Sequence, residues 1–391
     1  MDLSPVEIVR EDLNSVEVRM RSFPIPSAVP VVESLERLLA AGGKRLRPAL
    51  SLLFGRMLHV PEDPLLQLSA SLEMVHTATL IHDDLVDRAP VRRGIPTQIA
   101  RWPAGTSVLV GDFLFAWAAR LAAATGSIPV MQKFASAMAA IVDGEIRQIS
   151  KGDADCSIAE YENRIRSKTA ALFEVSCEGP ALLAEDSAAA ERAAEYGRSF
   201  GMAFQIADDI LDFTGDCART GKPARQDLRQ GVVTLPAILY FKSHPEDPDV
   251  SAFQSGKSDS RQRGRLTEKI RLSEAIEQSR QYASRYVGRA VEALASFPCG
   301  MHRNALEALV SSIVSNRNSQ ADRPPGTPHG VFHRDGFYPG QEDGFGHHPG
   351  ACPRRMRLSI KNHVTSMRSS CPRLPSRLPR ETHRPLSRKG R

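Results

Sequence analysis

The sequence predicts an all-α protein, a bundle of helices, and three observations carry that expectation. Ala, Leu, Ile, Glu and Arg recur at three- and four-residue spacing through most of residues 31–315, the period of an amphipathic helix. No segment keeps the period-two alternation of a half-buried strand, so no sheet is expected. Two aspartate clusters of identical spacing, Asp83-Asp84-x-x-Asp87 and Asp208-Asp209-x-x-Asp212, sit inside apolar helical pattern.

The helical stretches run in order over 31–39, 65–80, 108–123, 130–149, 158–183, 188–213, 273–294 and 303–315. Local breakers separate them: Ala41-Gly42-Gly43, Pro61-Glu62-Asp63-Pro64, Arg93-Gly94-Ile95-Pro96, Gly152-Asp153 and Gly221-Lys222-Pro223. Residues 242–264 are polar and rich in Ser, Asp and Gly, and read as a surface loop. Beyond residue 319 the character changes. Residues 321–391 hold 10 of the 27 prolines and 6 of the 11 histidines, with little helical period. Such a stretch buries too little surface to fold, so the chain divides into a folded body, 1–319, and a disordered basic tail, 320–391.

Composition narrows the function. The net charge of +6 belongs to the tail: residues 321–391 carry 14 Lys+Arg against 5 Asp+Glu, a net of +9, which leaves the body at −3. The basic balance is therefore no mark of a nucleic-acid binder. The six cysteines are scattered with no C-x-x-C pair, so neither a zinc site nor a disulfide framework is indicated, and a reducing cytoplasm fits. The N-terminus lacks a basic start and an apolar run, so no secretory signal is expected. No uninterrupted apolar run of the length a membrane span needs is present.

Helix geometry gives the aspartates their meaning. Residues i and i+4 share a face, so Asp83 and Asp87 point together with Asp84 beside them, and Asp208 and Asp212 repeat this with Asp209. Carboxylates flanked by core residues are costly to desolvate and repel one another. Facing helices would bring both sets to one cleft, where hard oxygen donors suit Mg²⁺, which keeps waters and takes phosphate oxygens. Cations complete the pattern: Lys44, Arg45 and Arg47 directly after a glycine pair, Arg92 and Arg93 after the first cluster, then Lys168-Thr169 and Lys222. Arg grips phosphate as a fork and Lys as a point charge, so the set describes a polyphosphate site.

At this point the chain resembles the trans-polyprenyl diphosphate synthase family, the polyprenyl synthetases. The matching stretches are GGKRLRP at 42–48, EMVHTATLIHDDLVD at 73–87, RRGIPT at 92–97, SVLVGDFLF at 107–115, GEIRQ at 144–148, KTAALF at 168–173, FQIADDILDFTGD at 204–216 and GKP…DL…GVVTLP at 221–236. The resemblance implies an isoprenoid-synthase helical bundle with a central active-site cavity, dimeric, using Mg²⁺. Asp83, Asp84, Asp87, Asp208, Asp209 and Asp212 match its metal-binding positions. Arg92, Lys168, Thr169, Gln205 and Lys222 match those that hold the allylic diphosphate; Lys44, Arg47, His76 and Arg93 match those that hold isopentenyl diphosphate. Lys168 is also counted with the six aspartates among the catalytic groups.

The implied activity is elongation of an allylic diphosphate by isopentenyl diphosphate, with transient membrane contact for release of an apolar product. The growing tail is expected to run along the first-cluster helix past Thr79, Ala78, Val75 and Met74. Small Ala78, where short-product members of the family carry an aromatic floor, implies a long octaprenyl-type chain for a quinone precursor. The rival readings are a farnesyl or geranylgeranyl diphosphate synthase, a non-catalytic subunit of a heteromeric synthase, and a terpene cyclase, against which the second cluster argues. Three positions depart from the family pattern: Arg225 where Gly is common, Val232 where many members have Lys, and Pro103-Ala104 where Gly-Asn often precedes SVLVGD.

Overall fold

The computed structural model describes residues 5–22, 29–40, 43–92, 95–151, 157–215 and 227–318. Arg93, Lys222, Arg225 and the basic tail lie outside these residues. The described elements begin with α1 (Arg10–Arg21), α2 (Val29–Ala40), α3 (Leu46–Met57) and α4 (Glu62–Val86). A two-residue antiparallel ladder, Val91–Arg92 with Ile95–Pro96, follows α4. Then come α5 (Ala104–Ala124), α6 (Ile128–Lys151), α7 (Ile158–Ile165), α8 (Ala171–Leu183) and α9 (Ser187–Thr214). The described part closes with α10 (Asp227–Gln230), α11 (Leu235–Ser243), α12 (Pro248–Gln254), α13 (Ser260–Leu272), α14 (Ala275–Leu294) and α15 (Met301–Asn318).

The all-α expectation holds, with instructive differences in detail. The small ladder was not anticipated, because two residues per strand are too few to show a period. Residues 242–264 are not one loop: they contain α12 and the start of α13. Both helices are short and polar but well capped. Asp247 accepts from the Asp249 N–H at 2.9 Å ahead of α12, and Asp259 and Gln262 form a capping box ahead of α13. Each also buries a spaced apolar pair, Val250 and Phe253 on α12 and Leu266 and Ile270 on α13. The helices α1 and α3 were likewise not among the expected stretches.

The helices that carry the site are ended by identifiable residues. Glu62 and Asp63 occupy the first turn of α4, where carboxylates meet the positive end of the helix dipole. At its other end Arg88, with φ of 50°, turns the chain back on itself. On α9, Asp186 accepts from the Ala189 N–H at 2.9 Å. Between α7 and α8 the helix does not simply continue: Arg166–Ala170 form a single π-helical turn.

The apolar core falls into two clusters that share α9. One is built on α3, α4, α5, α6 and α8 and takes Tyr196 and Phe200 from α9. The other lies under α7 and α10–α14 and takes Met202, Ile206, Ile210 and Phe213 from α9. Burying each such side chain contributes about 1.5–3 kcal/mol, so α9 is fixed along its length. By length and composition α5 is the single described helix that could cross a membrane. It packs along α4 within the bundle and carries Asp112.

Candidate active site

Close helix packing sets the site. A Cβ on Gly201 of α9 would stand 2.6 Å from the Ala170 Cα, and one on Gly197 would stand 2.8 Å from the Glu174 Cα. Only hydrogen fits at these points, so α8 and the π turn lie directly on α9. Lys168 and Thr169 are thereby set beside Gln205 and Asp208. A third glycine, Gly144 of α6, lets that helix approach Ser167; a Cβ on Gly144 would fall 3.1 Å from the serine Cβ.

A cavity of about 770 Å³ opens among these helices. Of the site residues expected from sequence, it is lined by Lys44, Arg47, His76, Asp83, Asp84, Arg92, Lys168, Thr169, Gln205 and Asp208. Asp87, Asp209 and Asp212 are not in its wall: Asp87 is exposed, Asp212 half-buried and Asp209 buried. Arg93 and Lys222 fall outside the described residues. Val75, Ala78 and Met74 are fully buried in the packed core, and of the four residues expected along the tail's path Thr79 alone reaches the cavity. The expected tunnel along α4 is thus not open in this structure; tight packing of α4 on α5 fills it. Gly111 of α5 illustrates the closeness, since a Cβ there would collide with the His82 ring.

The first cluster is surrounded by compensating charge. After the turn at Arg88 the chain returns so that Arg92 Nε donates to Asp84 Oδ1 at 2.6 Å. Burial raises the Asp84 carboxyl and Arg92 lowers it. Burial pushes Asp83 up to about 6, with Lys168 pulling down and Glu145 adding like charge. Lys168 itself forms an ion pair with Glu145 of α6.

The second cluster is organised by hydrogen bonds. Asp209 Oδ2 accepts from the Tyr161 hydroxyl at 2.7 Å, and Oδ1 accepts from Gln205 Nε2 at 2.8 Å. The Thr169 hydroxyl donates to Gln205 Oε1 at 2.8 Å. Burial nevertheless raises Asp209 to about 7. Asp227, at the start of α10, joins the cluster: its N–H donates to Asp212 Oδ2 at 3.2 Å. Burial and then the neighbouring Asp212, Asp209 and Asp208 push its carboxyl up to about 8.

The cations divide by partner. Arg45 has φ of 45°, an uncommon conformation for a residue with a Cβ. Its guanidinium donates to Glu73 at 2.9 Å and Glu17 at 3.1 Å, so it ties the loop before α3 to α4 and α1. Arg47 lies over the Phe173 ring at 4.4 Å, and its Nε is buried without a hydrogen-bond partner among the described residues. Burial draws its guanidinium down to about 10, opposed by Glu73. A buried, unpaired donor beside Lys44 suits an anion. Phe173 and Phe204 bring an aromatic seam from the core into the cavity wall, with Phe200 5.1 Å from Phe173 between ring centroids.

Glu145, Tyr161 and Asp227 were not among the candidates drawn from sequence. Glu145 stands in GEIRQ and Asp227 in the stretch after GKP, so the motifs contained them. Tyr161 gave no signal, because only the tertiary fold brings α7 to α9.

The donor set fits a divalent cation. It is all hard oxygen, and burial raises three of its carboxyls, a cost that a bound cation would offset. Among the described residues no three such side chains enclose an ion by themselves. Remaining ligands would come from water and substrate oxygens, as Mg²⁺ prefers.

Carboxylates on two walls and cations between them define an enzyme site for polyphosphate chemistry in an all-helical cavity. Residues 30–270 match the family model described as polyprenyl synthetase, and the chain belongs to that family of prenyl-transferring enzymes. It is 36% identical over 305 residues to heptaprenyl diphosphate synthase component 2 of Geobacillus stearothermophilus, covering 78% of this chain and 95% of that one. It is 34% identical over 288 residues to octaprenyl diphosphate synthase of Escherichia coli (strain K12), covering 71% and 87%. The crystal structure of polyprenyl synthase from Caulobacter crescentus CB15 complexed with calcium and isoprenyl diphosphate superposes with a TM-score of 0.74. That protein is 36% identical, with 80% of this chain and 97% of that one covered.

Proposed function

We propose that the chain is a Mg²⁺-dependent long-chain trans-polyprenyl diphosphate synthase that condenses isopentenyl diphosphate with an allylic diphosphate. One observation carries this reading: Asp83 and Asp84 of α4 and Asp208 of α9 open onto the same cavity as Lys44, Arg47, Arg92 and Lys168. The two aspartate clusters would hold the cations, which when bound supply Lewis-acid compensation for charge developing on the leaving pyrophosphate.

The remaining steps rest on protein groups and the substrates. Lys168, Thr169 and Gln205, with Arg92, hold the allylic diphosphate; Lys44, Arg47 and His76 hold isopentenyl diphosphate across the cavity. The outlying Arg93 and Lys222 belong to these two sets, Arg93 with isopentenyl diphosphate and Lys222 with the allylic diphosphate. The allylic C1–O bond breaks and its electron pair leaves with pyrophosphate, stabilised by the fixed cations. The double bond of isopentenyl diphosphate then attacks C1, and a proton passes to the released pyrophosphate. No protein nucleophile is needed. Phe173, Phe204 and Leu172 give the cavity an aromatic and apolar wall that would flank the allylic carbocation left at C1.

The long-chain names of the relatives support a long product, with farnesyl or geranylgeranyl diphosphate the alternative. Chromatography of the products formed from both substrates decides: chains beyond C20 are expected, and a product stopping at C15 or C20 would sink the long-chain reading.

A homodimer through α5 and α6 belongs to the same proposal. Leu109 of α5 is 69% exposed and Ile146 of α6 is 57% exposed, with Val108 and Val142 also open. An apolar face of this kind is a subunit contact more readily than a solvated surface. The name of the Geobacillus relative, a component 2, favours one second reading: a catalytic subunit that needs another polypeptide. Purified chain that elongates only after addition of a second polypeptide would establish it.

A further inference from the structure

The hydrogen bonds around Asp209 form a directed chain that crosses three elements. Tyr161 on α7 donates to Asp209 Oδ2 at 2.7 Å; Gln205 donates to Oδ1 at 2.8 Å; Thr169 in the π turn donates to Gln205 Oε1 at 2.8 Å. Tyr161 and Asp209 are buried, whereas Gln205 and Thr169 line the cavity. We propose that Tyr161 is a positioning residue for the diphosphate site, fixing the Gln205 amide through Asp209 and the Thr169 hydroxyl through Gln205. The inference rests on the synthase reading for the identity of the diphosphate.

The reasoning is one of donor and acceptor polarity. A primary amide can present either its oxygen or its NH₂ to a neighbour, and only its surroundings decide. Here the NH₂ of Gln205 is given to Asp209 Oδ1 at 2.8 Å, which turns the amide oxygen toward the Thr169 hydroxyl, also at 2.8 Å. One of the two Nε2 hydrogens is used; the other remains for an acceptor. Asp209 can hold this orientation because Tyr161 satisfies its second oxygen. Without the phenol, a buried oxygen is left unsatisfied. The carboxylate then rotates or draws on both Gln205 hydrogens, and the amide loses its set direction. The π turn carries Thr169 and follows α7 directly, so the register of Thr169 against Tyr161 departs from that of a regular α-helix.

The test uses Tyr161→Phe in the full-length protein, which removes one oxygen and keeps the ring. The direct readout is binding of inorganic pyrophosphate with Mg²⁺ by titration calorimetry. Affinity is expected to fall about tenfold, the scale of a lost hydrogen bond to a charged group. In turnover assays KM for the allylic diphosphate should rise by about the same factor, while KM for isopentenyl diphosphate stays within about twofold. Tyr286→Phe is the control, because that hydroxyl donates to Glu162 of α7 at 2.9 Å and stands outside the chain. It should leave both constants alone. Thr169→Val supplies a second variant: combined with Tyr161→Phe, its effect on pyrophosphate affinity should be less than additive. Unchanged affinity, a parallel rise of both KM values, additivity, or the same split in Tyr286→Phe would each overturn the proposal. Calorimetry needs no turnover, so a wild-type protein that fails to elongate both alone and with a second polypeptide sinks the synthase reading and leaves the Tyr161 test standing.

Discussion

At the scale of single residues, the site is a balance between buried carboxylates and the cations set against them. Replacing Asp83 or Asp208 with Ala should lower turnover by about two orders of magnitude or more, by loss of transition-state charge compensation. Circular dichroism should show an intact helical fold, and near-normal activity in either variant would contradict the metal-site reading. The raised carboxyls also predict a pH dependence. Asp83, Asp209 and Asp227 stand at about 6, 7 and 8, above the 3.8 of an unperturbed aspartate. The folded state therefore keeps protons that the unfolded chain has already released. That contribution to stability is present at low pH and is lost as pH rises through about 6–8. Asp249, held low by its hydrogen bond from Arg265, acts in the opposite sense only below about pH 4. The ligand-free protein should thus melt at a lower temperature near pH 8.5 than near pH 6.5, by a shift that narrows when Mg²⁺ and pyrophosphate are added. A melting temperature flat across that range would show that these carboxyls do not titrate as the burial implies.

At the scale of elements, helix contacts decide what the side chains can reach. Gly201→Ala would drive a methyl group into the Ala170 backbone, where nothing flexible can yield. A loss of about 1–3 kcal/mol in urea unfolding is expected, together with lower activity as α8 moves off α9. Ala78→Phe examines the path of the product. Ala78 is fully buried, so the larger ring must displace its neighbours. If the elongating chain opens a path beside α4, the variant should give shorter products by chromatography; a lower melting temperature with unchanged products would place Ala78 in packing alone. Two of the three departures from the family pattern have a backbone setting among the described residues; Arg225 lies outside them. Pro103 is the N-cap of α5, so Ala104 simply begins the helix. The Val232 N–H donates to the Asp227 carbonyl at 2.9 Å, which closes the turn after α10 through backbone alone.

At the scale of the whole molecule, two predictions concern what the described body needs. Leu109→Glu combined with Ile146→Glu places charge on the exposed apolar face of α5 and α6. Sedimentation should show a dimer for the parent protein and a monomer for this variant. A protein truncated to residues 1–320 should retain both turnover and product length, since the described lining of the cavity falls within residues 34–208. A shorter product ladder or lost activity would assign the basic tail a part in the enzyme.

The sequence alone determined the helical class, the paired aspartate clusters and most of the cavity's polar lining. Each is a local property: helical period is written residue by residue, and D-D-x-x-D at i and i+4 shares a face in any helix. Motif order added Lys44, Arg47, His76 and Gln205. What remained hidden depends on packing between distant segments. Tertiary structure alone decided that Arg45 pairs with Glu73 and Glu17, that Asp209 is enclosed by Tyr161 and Gln205, and that Asp227 joins the second cluster. It also closed the path past Ala78. A side chain's partner and its burial are set by what the rest of the chain places around it, and no spacing within one helix encodes that.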